Sequence, residues 1–459
     1  MEKLLGKKNL LNFSLIVLFY HVSMTLIPWF EFIFPMYIAD YILLGLTAAG
    51  WILHFAQRET RTRPKPIMII LIAFMIWLVI SCVVMTIRYD NDWVSYNFAP
   101  SASSPVSPGL NAAVSLLFVF PLGIALAKEK EKPKVTSVLI HAFLLIWTAW
   151  ITIVLITVFT GNTLHTTSGG TIGMVNNKLR LNGHYNIAGS WEMTFFLLCC
   201  FMAIQSKSRA WKCIYIAATL IHFVALMLTN SRASIYAAWP GFVAMMGIVA
   251  FLKTYKLKTQ RRLLWALAAA ALAAAAYYVL RNGVYALYGA CSHREDISAR
   301  RFFDYDGNTL FTTRETIWKY TIKGLFSDPY ITIFGVTPKS TRELFVQASN
   351  GTLSDSYTHN QFLEIAAAIG LPGLALFLSW GGFIARDTWR MYFTEKRWTI
   401  LLCLPVIFVA LLAANMMEAH LLFCEHMNGY IFFLLGGMIY GFMSTSSTCY
   451  DQVTEDPSC

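Results

Sequence analysis

The sequence predicts an all-α polytopic membrane protein of about twelve spans with one large extracytoplasmic loop, and three observations predict it. Of 459 residues, 57% are hydrophobic and only 13% charged, about half the charged share of a soluble domain. Apolar stretches long enough to cross a bilayer, about 20 residues each, recur along the whole chain. Lys and Arg gather in alternate loops, as cytoplasmic loops of membrane proteins do.

Spans are expected near 10–30, 37–56, 67–87, 109–127, 136–160, 187–205, 211–228, 233–252, 262–281, 360–385, 399–417 and 427–445. The first is long and lacks a small-residue cleavage site, which marks a retained span and not a signal peptide. Glu192 interrupts the sixth. The ninth, "LLWALAAAALAAAAYYVL", is nearly polyalanine, a composition that favours close helix packing over lipid contact. "WPGF" at Trp239–Phe242 marks a kink in the eighth.

The basic loops are "QRETRTRPKP", "KEKEKPKV", "SKSRAWK", "KTYKLKTQRR" and the Arg386–Arg397 segment; with the N-terminus they hold 23 of the 36 Lys and Arg. Both termini are therefore expected in the cytoplasm. Residues 282–358, between the ninth and tenth spans, form an external insertion in a single multi-pass domain covering 1–459. Loops of that length usually carry function. Within it, "RETIWKYTIKGLF" places Trp318, Ile322 and Leu325 on one helical face. Both a helix lying on the membrane surface and one packed against the outer span ends fit that pattern.

The net charge of +11 follows from topology and calls for no nucleic acid. Most of the nine cysteines lie in spans, where a thiol behaves as a small hydrophobe. Cys291 and Cys424 look external. No Cys/His spacing suits zinc, and "DYDGN" at 304–308 reads as an ordinary turn.

Four external segments concentrate hydrogen-bonding groups at span ends. They are "KLRLNGHYNIAGSWEM" with Arg180, "LTNSRASIYAAWPG" with Arg232, "FTTRETIW" with Arg314, and "YTHNQF" with His359 and Asn360. An arginine at a span end often only snorkels to headgroups, and Thr358 or Asn360 suits a helix cap. Arg232, however, sits in a very short turn on the side where basic residues are scarce. Together, three guanidiniums and an imidazole describe a phosphate-binding pocket with a base. The activated substrate available at an outer face is a glycan on a polyprenyl diphosphate. Arginines would stabilise the leaving diphosphate, and a neutral histidine would deprotonate the acceptor hydroxyl.

Those residues resemble the O-antigen ligase and O-antigen polymerase superfamily, over roughly residues 170–445. "RLNGHYNIAG", "TNSRAS", "TRETIWKYTIKGLFSDPYITIFGVTP" and "HNQFLEIAAAIGLPGLALFL" are similar to its successive motifs. The resemblance implies a GT-C-like, metal-independent, inverting glycosyltransferase without cofactor, in the bacterial cytoplasmic membrane. Its donor would be an undecaprenyl-diphosphate-linked glycan, and its acceptor a lipid-core sugar or another glycan. It implies a catalytic role for His359 and diphosphate binding by Arg180, Arg232 and, as an addition, Arg314; whether a chain-length regulator is a partner stays open. His184, Asn186, Trp318, Asn360 and Glu418 are candidates for acceptor contact or support; His184 also suits loop decoration, and Glu418 packing. Tyr185 stands where the family often has Pro, and Ala368 where it often has an acid. Ligase and polymerase share a donor and stay open. A lipid-linked glycan transporter or flippase is the alternative of another class, although no internal repeat is visible.

Overall fold

The computed structural model describes residues 7–26, 47, 66–88, 112–128, 134–165, 171–175, 178–181, 185–292, 312–353, 358–390, 392, 399–423 and 427–444. Among them the chain is overwhelmingly helical. The helices are α1 (Lys7–Leu26), α2 (Pro66–Arg88), α3 (Phe120–Lys128, entered through a π-helical turn at Val114–Val119), α4 (Lys134–Phe159), α5 (Tyr185–Gln205), α6 (Arg209–Thr229), α7 (Arg232–Lys253), α8 (Thr259–Ser292), α9 (Thr312–Leu325), α10 (Pro329–Phe334), α11 (Thr341–Ala348), α12 (Gln361–Trp389), α13 (Cys403–Asn415) and α14 (Met427–Ser444). Seven of them are long and apolar enough to cross a membrane. Each expected span coincides with a helical segment except 37–56, which apart from residue 47 lies outside the described residues. So do His184, Cys424 and residues 304–308.

Between α4 and α5 the chain forms a small antiparallel sheet in the order β1 (Leu164–His165), β2 (Thr171–Val175), β3 (Lys178–Arg180). Gly173 pairs with Arg180 across β2–β3, so the arginine is carried on a strand that abuts α5 and α6.

Small residues set the helix contacts. A Cβ on Gly123 of α3 would stand 2.2 Å from the Leu434 carbonyl, and one on Gly437 of α14 2.1 Å from that of Phe120. Gly437 and Gly441, four apart, thus let α3 and α14 meet backbone to backbone. Trp380 of α12 fills the adjoining core, its ring against Phe120, Phe377, Phe408, Phe432 and Phe433.

The acid in α5 is explained by its partner. Glu192 and His222 are fully buried, and His222 Nδ1 lies 2.8 Å from Glu192 Oε2. His222 Nε2 stands 3.0 Å from Thr148 Oγ1, whose own proton goes to the Leu144 carbonyl at 2.7 Å. Thr148 therefore accepts, Nε2 is the donor, and the Glu192–His222 pair shares one further proton as a net-neutral unit. A polar group in an apolar core needs such pairing. It staples α4, α5 and α6 together.

Three expectations are corrected. The polyalanine span is not packed into the bundle: the apolar window of α8 is 11% buried, against 78% for α5. Leu264, Leu267, Leu272 and Val279 are exposed, because alanine leaves the helix with one narrow contact stripe, of Ala273, Tyr277, Val284, Tyr285 and Tyr288. That stripe continues past Arg281, so α8 runs on to Ser292 and takes the first residues of the expected loop. In α9 the buried face is Ile317, Thr321 and Leu325, while Ile322 is 44% exposed. Gly324 is the reason: a Cβ there would meet Leu344 at 2.8 Å, which turns the helix onto α11 and the end of α12. The helix packs on the span ends.

The marked break falls in α12. Ile369 and Gly370 leave helical geometry, Gly370 with φ +74, just before Pro372, which has no N–H for the carbonyl of residue 368 and clashes with it. The segment after α10 and a side chain of α2 supply what the helix lost. Val336 N donates to the Ala367 carbonyl at 2.8 Å and Thr337 N to that of Ala368 at 2.9 Å, while Trp77 Nε1 donates to that of Ile369 at 2.8 Å. Irregular backbone at membrane depth is tolerated where protein satisfies it.

Candidate functional site

The start of α12 positions His359. Asn360 caps the helix, its Oδ1 accepting from Phe362 N at 3.0 Å and Leu363 N at 3.1 Å. The cap turns the preceding residue outward, and His359 adopts a left-handed φ of +52, a conformation that costs a side-chain-bearing residue energy and persists only when its surroundings hold it. They do. Thr358 gives its N–H and hydroxyl to Glu364 Oε2 at 3.2 and 2.7 Å, and its carbonyl accepts from Trp318 Nε1 at 3.0 Å. Glu364 Oε1 accepts from Thr341 Oγ1 at 2.6 Å. This buried carboxylate ties α11 and α12 to the turn that bears the histidine.

The segment after α13 brings Glu418 to the same place. Asn415 Oδ1 accepts from His420 N at 2.9 Å, and Gln361 Oε1 from Leu421 N at 2.8 Å, which folds residues 416–421 back against the mouth of α12. Glu418, 1% exposed, bridges a guanidinium and an imidazole. Its Oε1 accepts from Arg314 Nη2 at 2.5 Å and its Oε2 lies 3.1 Å from His359 Nδ1. Burial pushes this carboxyl up. The His359 hydrogen bond and the charges of His420, Arg314 and His359 outweigh it and hold the group below the ordinary carboxylate range. An ionised carboxylate accepts only, so His359 Nδ1 carries a proton, which leaves Nε2 as the ring atom able to take one up.

Arg180 ends β3 just ahead of α5 and Arg232 opens α7, on the rim formed by those two helix starts. The α6–α7 turn is only Asn230 and Ser231, with Asn230 in the left-handed region at φ 52. It presses on α5 so closely that a Cβ on Gly189 would meet the Ser231 Cβ at 2.3 Å. Arg180 Nε is buried and has no hydrogen-bond partner. A chain of contacts joins this rim to the histidine. Asn428, at the start of α14, donates to Ser190 Oγ at 2.6 Å and accepts from Thr194 Oγ1 at 2.9 Å. A Cβ on Gly429 would stand 2.2 Å from the Leu421 carbonyl, and Leu421 is held by Gln361. The starts of α5, α7, α12 and α14 thus lie at one end of the bundle, with Arg314, Glu418 and His359 in direct contact there.

Of the remaining candidates, Asn186 is buried in the first turn of α5, and Asn360 is occupied as a cap. Trp318 supports the His359 turn through its indole. Sequence reading assigned no role to Glu364, Thr341 and Asn415, and noted Gln361 only as a polar residue at the mouth of the span; Glu364 and Gln361 were signalled by polarity in an otherwise apolar helix start. It weighed Glu418 as orienting a guanidinium or as packing, whereas the carboxylate holds the imidazole as well.

Fold and site together define a polytopic helical membrane protein with a carboxylate–imidazole–guanidinium cluster built at the mouth of a broken span. Residues 217–378 match the family model described as O-antigen ligase, and the resemblance to the O-antigen ligase and polymerase superfamily holds across that segment. It runs from α6 through the break in α12 and includes Arg232, Arg314, Trp318, His359 and Asn360. Arg180 and Glu418 lie outside it. No curated protein matches the chain.

Proposed function

We propose that this protein is a membrane glycosyltransferase of the O-antigen ligase or polymerase type. It moves a glycan from undecaprenyl diphosphate to an acceptor hydroxyl at the outer face of the bacterial cytoplasmic membrane. In this reading the chain crosses twelve times with both termini in the cytoplasm, and the reaction inverts the anomeric carbon without a metal. The observation that carries it is the bridge from Glu418 to both His359 and Arg314. It matches what acceptor activation needs, a base held in one tautomer and one orientation.

The chemistry balances as a single displacement. His359 Nε2 takes the hydroxyl proton as the acceptor oxygen bonds the anomeric carbon. The bond from that carbon to the phosphate oxygen breaks, and its electron pair leaves on the diphosphate. Arg232 and Arg180 stabilise the growing charge. Arg314 keeps one N–H on Glu418 and offers its other donors to the same phosphates. The acceptor, a lipid-core sugar in a ligase or a second lipid-linked glycan in a polymerase, meets the His359 side, and a chain-length regulator would act on that choice.

The test is donor turnover by protein reconstituted in liposomes. His359→Ala should abolish transfer with donor affinity retained, and a cysteine at position 359 should react with an impermeant thiol reagent added outside. Undiminished transfer, or labelling from the cytoplasmic side, overturns the reading. Movement of the lipid-linked glycan without transfer would make the protein a transporter.

A further inference from the structure

The cluster at α12 leaves one guanidinium at the outer rim unexplained. Arg281 lies on α8 between Tyr277 and Tyr285, one turn from each and on the same stripe. Both tyrosines are buried, and both reach across to the α6–α7 hairpin. The Tyr277 hydroxyl donates to the Ile235 carbonyl at 3.2 Å and the Tyr285 hydroxyl to that of Met227 at 3.1 Å. Those carbonyls flank the Asn230–Ser231 turn, so Arg281 stands level with it. The Arg281 guanidinium lies 5.8 Å from the centre of the Tyr285 ring and hydrogen-bonds its phenol. Arg232 is the first residue of α7, directly after the Asn230–Ser231 turn.

The two tyrosine hydrogen bonds therefore place Arg281 at the junction of α8 with the hairpin whose second helix opens at Arg232. Helices α6, α7 and α8 contain no Asp or Glu. These three helices supply no carboxylate of their own. Beyond Arg281, Tyr278, Val279 and Leu280 are 60, 67 and 46% exposed on a helix that faces lipid. An anion bound between the arginines would carry its hydrocarbon straight into the bilayer along α8.

We propose that Arg281 is a further binding residue, which with Arg232 clamps the phosphate nearest the hydrocarbon chain of a lipid-linked diphosphate. This deepens the function proposed above and rests on it. A fork of planar donors on each side suits a phosphate, and arginine stays charged at such a boundary.

The experiment uses full-length protein in nanodiscs of zwitterionic lipid, with undecaprenyl diphosphate as the binding probe and glycan donor for turnover. Arg281→Ala should weaken probe binding and raise the donor KM about tenfold or more, the loss expected for charged hydrogen bonds, with kcat nearly unchanged. Arg281→Lys, which keeps the charge without the fork, should fall between. Thermal unfolding checks that both variants are folded; if Arg281→Ala is not, Arg281→Lys decides alone. Arg261→Ala, exposed in the first turn of α8, should match the unmodified protein. Normal probe binding by folded Arg281 variants, while Arg232→Ala and His359→Ala are inactive, sinks this inference and leaves the proposed function standing. Full activity of those two variants sinks the proposed function itself. If Arg281→Ala changes only the affinity for vesicles containing anionic phosphatidylglycerol, Arg281 serves bulk headgroups and the inference is overturned.

Discussion

Replacing Glu418 by Gln removes a charge while nearly preserving volume, and the bridge makes the consequence calculable. The carboxylate is 2% exposed, and its partners Arg314 and His359 are 18% and 14% exposed. Removing one partner of a fully buried pair costs about 3–5 kcal/mol. Here Arg314 and His359 keep some water and glutamine keeps one acceptor, which places the loss at the low end of that range. If about 2.7 kcal/mol of it is orientation of His359 needed in the transition state, kcat falls about 100-fold. Donor turnover in proteoliposomes measures kcat and KM, and a thermal melt in detergent measures stability. The expected pattern is a kcat loss near that size, a small change in KM and a lower melting temperature. The pH dependence supplies a second check. Glu418 has a folded-state pKa below its unfolded one, so its contribution is full above the ordinary carboxylate value of about 4.3. It is lost as pH falls through the lower folded value. Glu418→Gln should erase that acid step. Turnover within about threefold of the unmodified protein, with the acid transition intact, would refute the claim that this carboxylate orients the base.

Gly370→Ala should destabilise by several kcal/mol, because a Cβ there would stand 1.9 Å from the Ile333 carbonyl at a φ of +74; a melting temperature equal to that of the parent would contradict the break in α12. His222→Ala and Glu192→Ala should each cost about 3–5 kcal/mol by stranding a buried partner, yet the double variant should cost less than their sum. Additive losses in a thermal melt would mean that the two side chains do not form one unit. Trp318→Phe should lose the hydrogen bond to the Thr358 carbonyl, about 1 kcal/mol of stability, and lower turnover more than donor affinity. A change confined to donor affinity would place Trp318 with the substrate instead.

Legibility in the sequence followed the range of the interaction. Most helical stretches were readable, since hydrophobic runs are local, although α8 runs on past the expected end at 281 to Ser292. Asn360 as a cap was readable too, because a cap's partners are two and three residues away. "GLPG" was visible, but its consequence was not: the break at Ile369–Gly370 depends on carbonyls being taken by Val336, Thr337 and Trp77, each distant in sequence. The polyalanine of α8 misled for the same reason. Composition says that a helix is able to pack closely, and only its neighbours say whether it does.

The sequence by itself determined a helical membrane protein, the basic loops, and an arginine–histidine set at one end of the spans, because hydrophobicity and charge placement act residue by residue. Only the tertiary structure decided that Glu418 joins His359 to Arg314, that Glu364 holds the turn beneath them, and that Arg281 stands beside the turn bearing Arg232. Those three facts require hydrogen bonds and ring contacts of a few ångströms, most of them between residues scores of positions apart, and no local pattern encodes such distances.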